Sequence, residues 1–358
     1  MPSIEKDLGV THAQAGSLFM VLSIGFLTAQ LSSGFLTSRI LHRGSIITSA
    51  IAMGFFLILF SFLSSLNQIR LVMVLLGMAA GLHLPSAVAT ITAMIDRQDW
   101  GKALGVHQTA PSIALVMGPL LVVALPLSWR TLLLLIGILS IAGGISFFIF
   151  NGSGRFPGQQ PRPANVKALL SLKSFWIMVA LFSMGIASSA GLYTMIPLYL
   201  ASEKGFDPDT ANFLLGLSRV SGLFIVIVAG WVVDRIGEKK TLSGVLFFSG
   251  LGTILLGLAS SKWIVPALFL QPLIASGFFP PGFAALSRIV SPSFRSLATS
   301  LVVSIGFLFG GGMVPMFLGL MGEKGNFGLG IVLLGAFTGL IPVLSLFLRL
   351  KQMEEPGC

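Results

Sequence analysis

The chain has 358 residues, of which 54% are hydrophobic and only 9% charged, and its mean hydropathy is +0.95. A soluble globular domain carries about 25% charged residues, so a water-solvated fold is excluded for most of this surface. The net charge of +10 falls mainly in short segments between apolar runs, which makes it an orientation signal and not a nucleic-acid footprint. One cysteine, Cys358, excludes an intramolecular disulfide framework and a cysteine-rich metal site.

Apolar runs long enough to cross a hydrocarbon core of roughly 30 Å recur from end to end. In chain order they predict eleven helical spans at 13–37, 45–66, 70–95, 101–126, 130–150, 173–200, 209–233, 241–260, 262–287, 296–321 and 327–349. Most connections are short. The exception, residues 151–172 (NGSGRFPGQQPRPANVKALLSL), has the Gly, Pro, Gln and basic content of a hydrophilic linker. The expectation is an all-α membrane protein with a five-helix bundle over 1–150, a linker over 151–172, a six-helix bundle over 173–350 and a tail over 351–358. Loops 38–44, 96–102, 151–173, 234–240 and 288–295 and the tail hold most of the 22 basic residues. The positive-inside rule makes that side, and the C-terminus, cytoplasmic in an inner or plasma membrane, with anionic lipid as a partner.

Sliding the sequence against itself exposes a repeat at an offset of 196 residues. Gly9 then falls on Gly205, Leu18 on Leu214, Gly34 on Gly230, Arg39 on Arg235, Gly81 on Gly277, Pro85 on Pro281 and Pro119 on Pro315. Glycine and proline carry the information, because each marks a backbone geometry or a close helix approach that leucine cannot replace. A parallel repeat whose copies share topology needs an even number of spans per unit, so five spans followed by six imply one more. At this offset span 173–200 maps to just before Met1. The expectation is a twelve-helix fold whose first helix precedes residue 1, with Met1 an internal methionine or a shortened start.

The segment Gly230-Trp-Val-Val-Asp234-Arg235-Ile-Gly237-Glu-Lys239-Lys240 resembles the loop signature of the major facilitator superfamily, G-x-x-x-D-R-x-G-R/K-R/K. In that family the signature lies between the second and third helices and again between the eighth and ninth. The first copy here, Gly34-Phe-Leu-Thr-Ser38-Arg39-Ile-Leu-His-Arg43, keeps the glycine and the basic residues but has Ser38 in place of aspartate. The long central loop, Trp129-Arg130 and Gly118-Pro119 extend the resemblance over the whole chain. It implies two pseudo-symmetric helical bundles working by alternating access, with the signature as a cytoplasmic latch of the outward-open state. Glycine permits close helix contact, aspartate receives a helix N-terminus or an arginine, and basic residues anchor to headgroups. The latch residues would be Gly34, Arg39, Arg43, Gly230, Asp234, Arg235, Gly237, Lys239 and Lys240, the first copy latching less strongly than the second.

A solute site in such a fold lies near the midplane between the halves. Arg219 is the one formal charge deep inside a predicted span, eleven residues after Pro208 and fifteen before Asp234, or about 16 Å and 22 Å from the two ends at 1.5 Å per residue. With no carboxylate inside any span, its guanidinium should face an aqueous cavity and seek an anion; the alternative is neutralisation by backbone carbonyls of a neighbouring helix. His83 should also sit near the middle of its span, and His107 and Gln108 about 9 Å from the cytoplasmic end of a helix that lines the cavity in the family. Either histidine can hydrogen-bond a solute or, protonated near pH 6.5, supply a second cation; an interhelical hydrogen bond is the plainer role. Gln30, Tyr193 and Gln271 complete the candidate wall, with helix packing as their alternative. At the repeat offset Arg219 maps onto Ser23, His83 onto Phe279 and His107 onto Val303, so these side chains decorate the scaffold asymmetrically, as a specific solute requires.

These features predict a monomeric secondary active transporter of a small solute, an organic anion, coupled to protons through histidine and needing no metal or cofactor. The rival within transport is a proton-driven exporter of lipophilic compounds. Such relatives carry a longer glycine signature around the fifth-helix Gly-Pro, whereas Gly118-Pro119 is followed here by Leu-Leu-Val-Val. A non-transporting receptor or a truncated remnant is the alternative from another class. An intramembrane enzyme is disfavoured, because no span holds paired carboxylates, a Gly-x-Ser-x-Gly turn or a His-Glu-x-x-His run.

Overall fold

The structure is a computed structural model that describes residues 2–96, 100–125, 127–158, 163–290 and 295–350. These residues are helical almost throughout, as lipid demands of a backbone that must satisfy its own hydrogen bonds. A short helix α1 (Pro2–Leu8) leads into α2 (His12–Phe62), α3 (Leu66–Gly81), α4 (His83–Met94), α5 (Trp100–Ala124) and α6 (Trp129–Phe150). Then follow α7 (Pro163–Leu170), α8 (Lys173–Ile186), a π-helical turn (Ala187–Gly191), α9 (Leu192–Ser202), α10 (Pro208–Ile236) and α11 (Glu238–Leu258). The chain closes with α12 (Ile264–Ala275), a 3-10 turn (Ser276–Phe278), α13 (Phe279–Ile289), α14 (Arg295–Gly306), a second π segment (Phe307–Met313), α15 (Val314–Glu323), α16 (Phe327–Leu340) and a 3-10 segment (Ile341–Phe347).

Among the described residues, eight helical stretches are long and apolar enough to cross a membrane. One of them, α2, runs for 51 residues, which at 1.5 Å per residue is about 76 Å and more than twice a hydrocarbon core. It is broken at Leu41, where φ is 65° and ψ 166°. Residues 12–40 and 42–62 are therefore two helices joined by a one-residue turn, tighter than the 38–44 loop expected from sequence. The linker expected over 151–172 is likewise not all loop: α7 occupies its second half, and residues 154–158 lie against the turn at Leu41.

The repeat read from sequence reappears in the packing. A Cβ on Gly81 would lie 2.9 Å from the Cβ of Ala29, and one on Gly277 would lie 3.7 Å from the side chain of Ile225; Ala29 and Ile225 are themselves 196 positions apart. Pro85 and Pro281 each lack the N–H that would bond four residues back, to Gly81 and Gly277. Both helices are interrupted there, at Leu82 and at Ser276–Phe278. Gly54 backs onto Gly137 between α2 and α6, and its repeat partner Gly250 backs onto Gly335 between α11 and α16. Such glycine contacts let helix backbones approach closely where lipid gives no hydrophobic drive to associate.

Among the described residues, the first and second halves of the chain meet mainly along two seams, with a smaller contact of α1 on α9. In one, α2 packs on α14, on Phe307–Met313 and on α15, with the Ser300 hydroxyl donating to Gln30 Oε1 at 2.9 Å and the Ala13 N–H donating to Glu323 Oε1 at 3.1 Å. In the other, α5 packs on α10, where a Cβ on Gly216 would lie 2.8 Å from Leu120. At the end of the molecule opposite Leu41, Arg130 ties α1 to its neighbours. It pairs with Asp7 at 3.0 Å and donates to the carbonyls of Ser61 and Leu63 at 2.9 and 2.8 Å.

Candidate functional site

Arg219 lies on α10 with 6% of its surface exposed. Its Nη2 donates to the carbonyl oxygen of Ser189, and its guanidinium carbon stands 3.6 Å from the centroid of the Tyr193 ring. The carbonyl partner comes from the π-helical turn Ala187–Gly191, whose widened geometry turns two successive carbonyls to side chains of other helices, Ser188 to Gln271 and Ser189 to Arg219. From Tyr193 a hydrogen-bonded chain runs through the interior. The Tyr193 hydroxyl donates to Gln271 Oε1 at 2.8 Å, and Gln271 Nε2 donates to Thr253 Oγ1 at 2.9 Å and to the Ser188 carbonyl at 3.1 Å. The Ser188 hydroxyl continues to Thr338 Oγ1 at 3.3 Å.

Two features of this cluster remain open. Among the described residues no carboxylate pairs with Arg219. The buried hydroxyl of Ser189, the residue whose carbonyl receives Arg219, has no hydrogen-bond partner there either. The guanidinium therefore has the carbonyl neighbour that was the alternative to an anion, together with an aromatic face, but no compensating negative charge. Carbonyl and ring dipoles stabilise a cation without neutralising it.

The other candidates fall into separate places. His83, the first residue of α4, and His107 on α5 stack with ring centroids 5.9 Å apart and planes 15° apart, so the two histidines come together as a pair. Measured along the helices from the Gly216–Leu120 contact, His107 and Arg219 differ in depth by about 15 Å, and the histidines are not part of the Arg219 cluster. Gln30 joins the seam to Ser300, while Tyr193 and Gln271 belong to the Arg219 chain. The side chain of Gln108 lies outside the described residues. Sequence reasoning missed Ser188, Ser189, Thr253 and Thr338; the only local signal was the small polar run Ser188-Ser189-Ala190-Gly191 inside an apolar span.

The two signature copies differ in backbone as well as in charge. In the second copy Gly237 caps α10 with φ 87° and ψ 159°, Arg235 stacks on Trp231 at 3.7 Å, and Glu238, next to Gly237, pairs with Arg288 at 2.7 Å. Lys239 Nζ donates to the carbonyls of Leu346 and Leu348 at 3.2 and 3.4 Å. Asp234 and Lys240 are exposed, and a Cβ on Gly230 would meet open space. In the first copy Gly34 accepts from the Thr37 hydroxyl at 3.3 Å and Arg39 is exposed. Arg43 donates through Nε to the Asn151 carbonyl at 2.9 Å and through Nη2 to that of Phe148 at 2.5 Å. Among the described residues, no ion pair of either copy joins the two halves. The signature's second glycine is Leu41 in the first copy, 196 positions before Gly237.

Apolar crossings built on an internal repeat, with isolated polar clusters buried among them, define a multi-pass membrane carrier. The family model of the Major Facilitator Superfamily matches residues 1–227 and 187–357, and the chain belongs to that superfamily; it is a transporter and not an enzyme. It is 22% identical to a D-galactonate transporter of Escherichia coli O6:H1, over 99% of this chain and 90% of the relative. It is also 27% identical to the multidrug resistance protein MdtG of Enterobacter lignolyticus, over 74% of this chain and 66% of the relative. Its fold matches, with a TM-score of 0.77 at 13% identity, a bacterial homolog to the human lysosomal transporter Spinster in an inward-facing and occupied conformation, covering 97% of this chain and 92% of the other.

Proposed function

We propose that this chain is a secondary active transporter of a small organic anion, driven by a proton gradient and working by alternating access between halves 1–150 and 173–350 joined by the linker 151–172. The observation that carries the reading is Arg219: a buried guanidinium on the Ser189 carbonyl and an aromatic ring, with neither a carboxylate for it nor a partner for the buried hydroxyl of that same Ser189 among the described residues. A carboxylate or sulfonate would supply the missing charge and accept from both groups, since the planar fork of arginine suits two-point binding of such anions. A relative aligned over nearly the whole chain is named for such an anion, galactonate. The stacked pair His83–His107 is the group we assign to proton coupling, because protonating one ring adds a cation on the path to the basic face. That basic face, with the C-terminus, we place in the cytoplasm.

A second reading, export of lipophilic compounds, is favoured by the higher local identity to MdtG. Purified protein in liposomes separates the two. A panel of labelled sugar acids and sulfonates should accumulate under an imposed proton gradient, and a lipophilic cationic dye should not move. Dye movement without anion uptake would replace the first reading with the second.

A further inference from the structure

We propose that residues 151–158 form an intrachain strap that holds the turn of the first signature copy, supplying by contact what the second copy obtains from a glycine. The proposal does not rest on the solute reading. Leu41 and Gly237 are 196 positions apart and share one backbone conformation, φ 65° and ψ 166° against φ 87° and ψ 159°. That region is essentially reserved for glycine, because a Cβ clashes with the neighbouring peptide groups. Gly237 enters it without strain, and Leu41 needs its surroundings to keep it there.

The surroundings are the linker. A break in a helix leaves the first N–H groups of the next helix without intrahelical acceptors. Here the N–H of His42 donates to the carbonyl of Phe156 at 3.2 Å, and the N–H of Arg43 donates to that of Gly154 at 2.9 Å. On the other side of Leu41 the N–H of Gly158 donates to the carbonyl of Thr37 at 3.2 Å. The pairing thus straddles the strained residue. The Phe156 ring lies 4.8 Å from the His42 ring, whose Nδ1 is 3.3 Å from the Ser86 hydroxyl. Both linker glycines fit the seat: a Cβ on Gly158 would run into the Thr37 hydroxyl, and one on Gly154 would lie 2.9 Å from Thr90 Oγ1.

A contact shared by both copies isolates the part that differs. Arg43 and its repeat partner Lys239 each bind carbonyls near the end of the last helix of their own half. Among the described residues, no neighbouring segment pairs with the backbone of Glu238 or Lys239 as 154–158 pairs with His42 and Arg43. Because the strap is also the start of the connection between the halves, a pull on that connection reaches the hinge between residues 12–40 and 42–62.

The test uses the full chain with Cys358→Ser, which removes the single native thiol, and Thr37→Cys as a probe beneath the strap. Gly158→Val should raise maleimide labelling of the probe about ten-fold or more, the release expected when a position of this strain loses its support. Phe156→Ala, which adds no bulk, should move labelling the same way by less. In protein without the probe, Gly158→Val should lower the unfolding midpoint, and with the strap intact Leu41→Gly should lower labelling of the probe, because release relieves no strain at a glycine. Labelling unchanged by both strap variants, or unchanged by Leu41→Gly, would overturn the proposal.

Discussion

Replacing Arg219 by glutamine separates a charge kept for a solute from one kept for the fold. The wild-type guanidinium gains one charged hydrogen bond to Ser189, about 1.5–3 kcal/mol, and a desolvated stack on Tyr193 at 3.6 Å, about 2 kcal/mol. Against this stands the cost of a charged side chain at mid-membrane depth, about 2.5–3.5 kcal/mol on insertion scales. Glutamine gives up the first two and removes the third, and its amide can recover about 1 kcal/mol by donating to the same carbonyl. The terms cancel to within about 2 kcal/mol, so Arg219→Gln should fold with near wild-type stability. An anion at a hundred times its Kd adds about 2.7 kcal/mol to the stability of a protein that binds it, and the variant should lose that entire gain. Arg219→Lys keeps the charge but neither the fork nor the stack, and should lose most of it. Reversible unfolding in mixed micelles, with and without each sugar acid that stabilises the wild type, reads both quantities. A variant destabilised by more than about 4 kcal/mol would make Arg219 a structural residue, and one that kept the anion-dependent gain would remove it from the site.

Gln271→Leu breaks three buried interhelical hydrogen bonds. At the roughly 0.6 kcal/mol typical of such bonds in membranes it should cost about 2 kcal/mol of unfolding free energy, and an unchanged midpoint would show that the chain carries no stability. His42 lies in the turn at Leu41, outside the crossings, and burial alone holds its pKa below the ordinary histidine value of 6.5. Releasing the strap would expose it and return the pKa toward that value, so the released form binds more protons. Docking is then at full strength above the ordinary value and weakens as pH falls from it toward the depressed one. Labelling of the Thr37→Cys probe, normalised to denatured protein, should be flat above the ordinary histidine value of 6.5 and rise as pH falls below it, with a slope of at most one proton. His42→Phe should flatten the response.

How much of this was legible in sequence depended on whether the controlling interaction was local. Composition and the long apolar runs carried the helical membrane class, and the glycine and proline pairs at offset 196 carried a repeat that returns in the contacts of Gly81 and Gly277. Arg219 stood out because a charge far from both ends of an apolar run has few structural explanations. Its tyrosine and carbonyl partners could not be paired with it, since both lie some thirty positions earlier and the carbonyl is offered by a π turn. That turn has no residue signature, and it ends where Gly191 backs onto Gly310 of another helical segment. His83 and His107 were chosen separately, and their stacking depends on how α4 and α5 pack. The strap was hidden for the same reason, although the leucine at the signature's glycine position pointed to a backbone in need of support.

The repeat also shows which parts of the molecule are free to differ. Positions that set backbone geometry, such as Gly81 with Gly277 and Pro85 with Pro281, are kept in both copies, and Arg43 and Lys239 keep one role with different side chains. The buried polar chain has no counterpart at the matching positions: Gln271 maps onto Leu75, and Arg219 onto Ser23. In the second half this chain links α9 and its π turn, α10, α11, α12 and α16, every bond joining two different elements. Elements cross-linked in this way move together, because separating any two leaves a polar group unpaired in an apolar interior. The Arg219 charge is therefore fixed to one rigid assembly, while the first half presents the histidine pair and a hinge held by its own linker. A solute bound by Arg219 would travel with the second half, and the relative motion that releases it would be taken up on the side where Leu41 is strained.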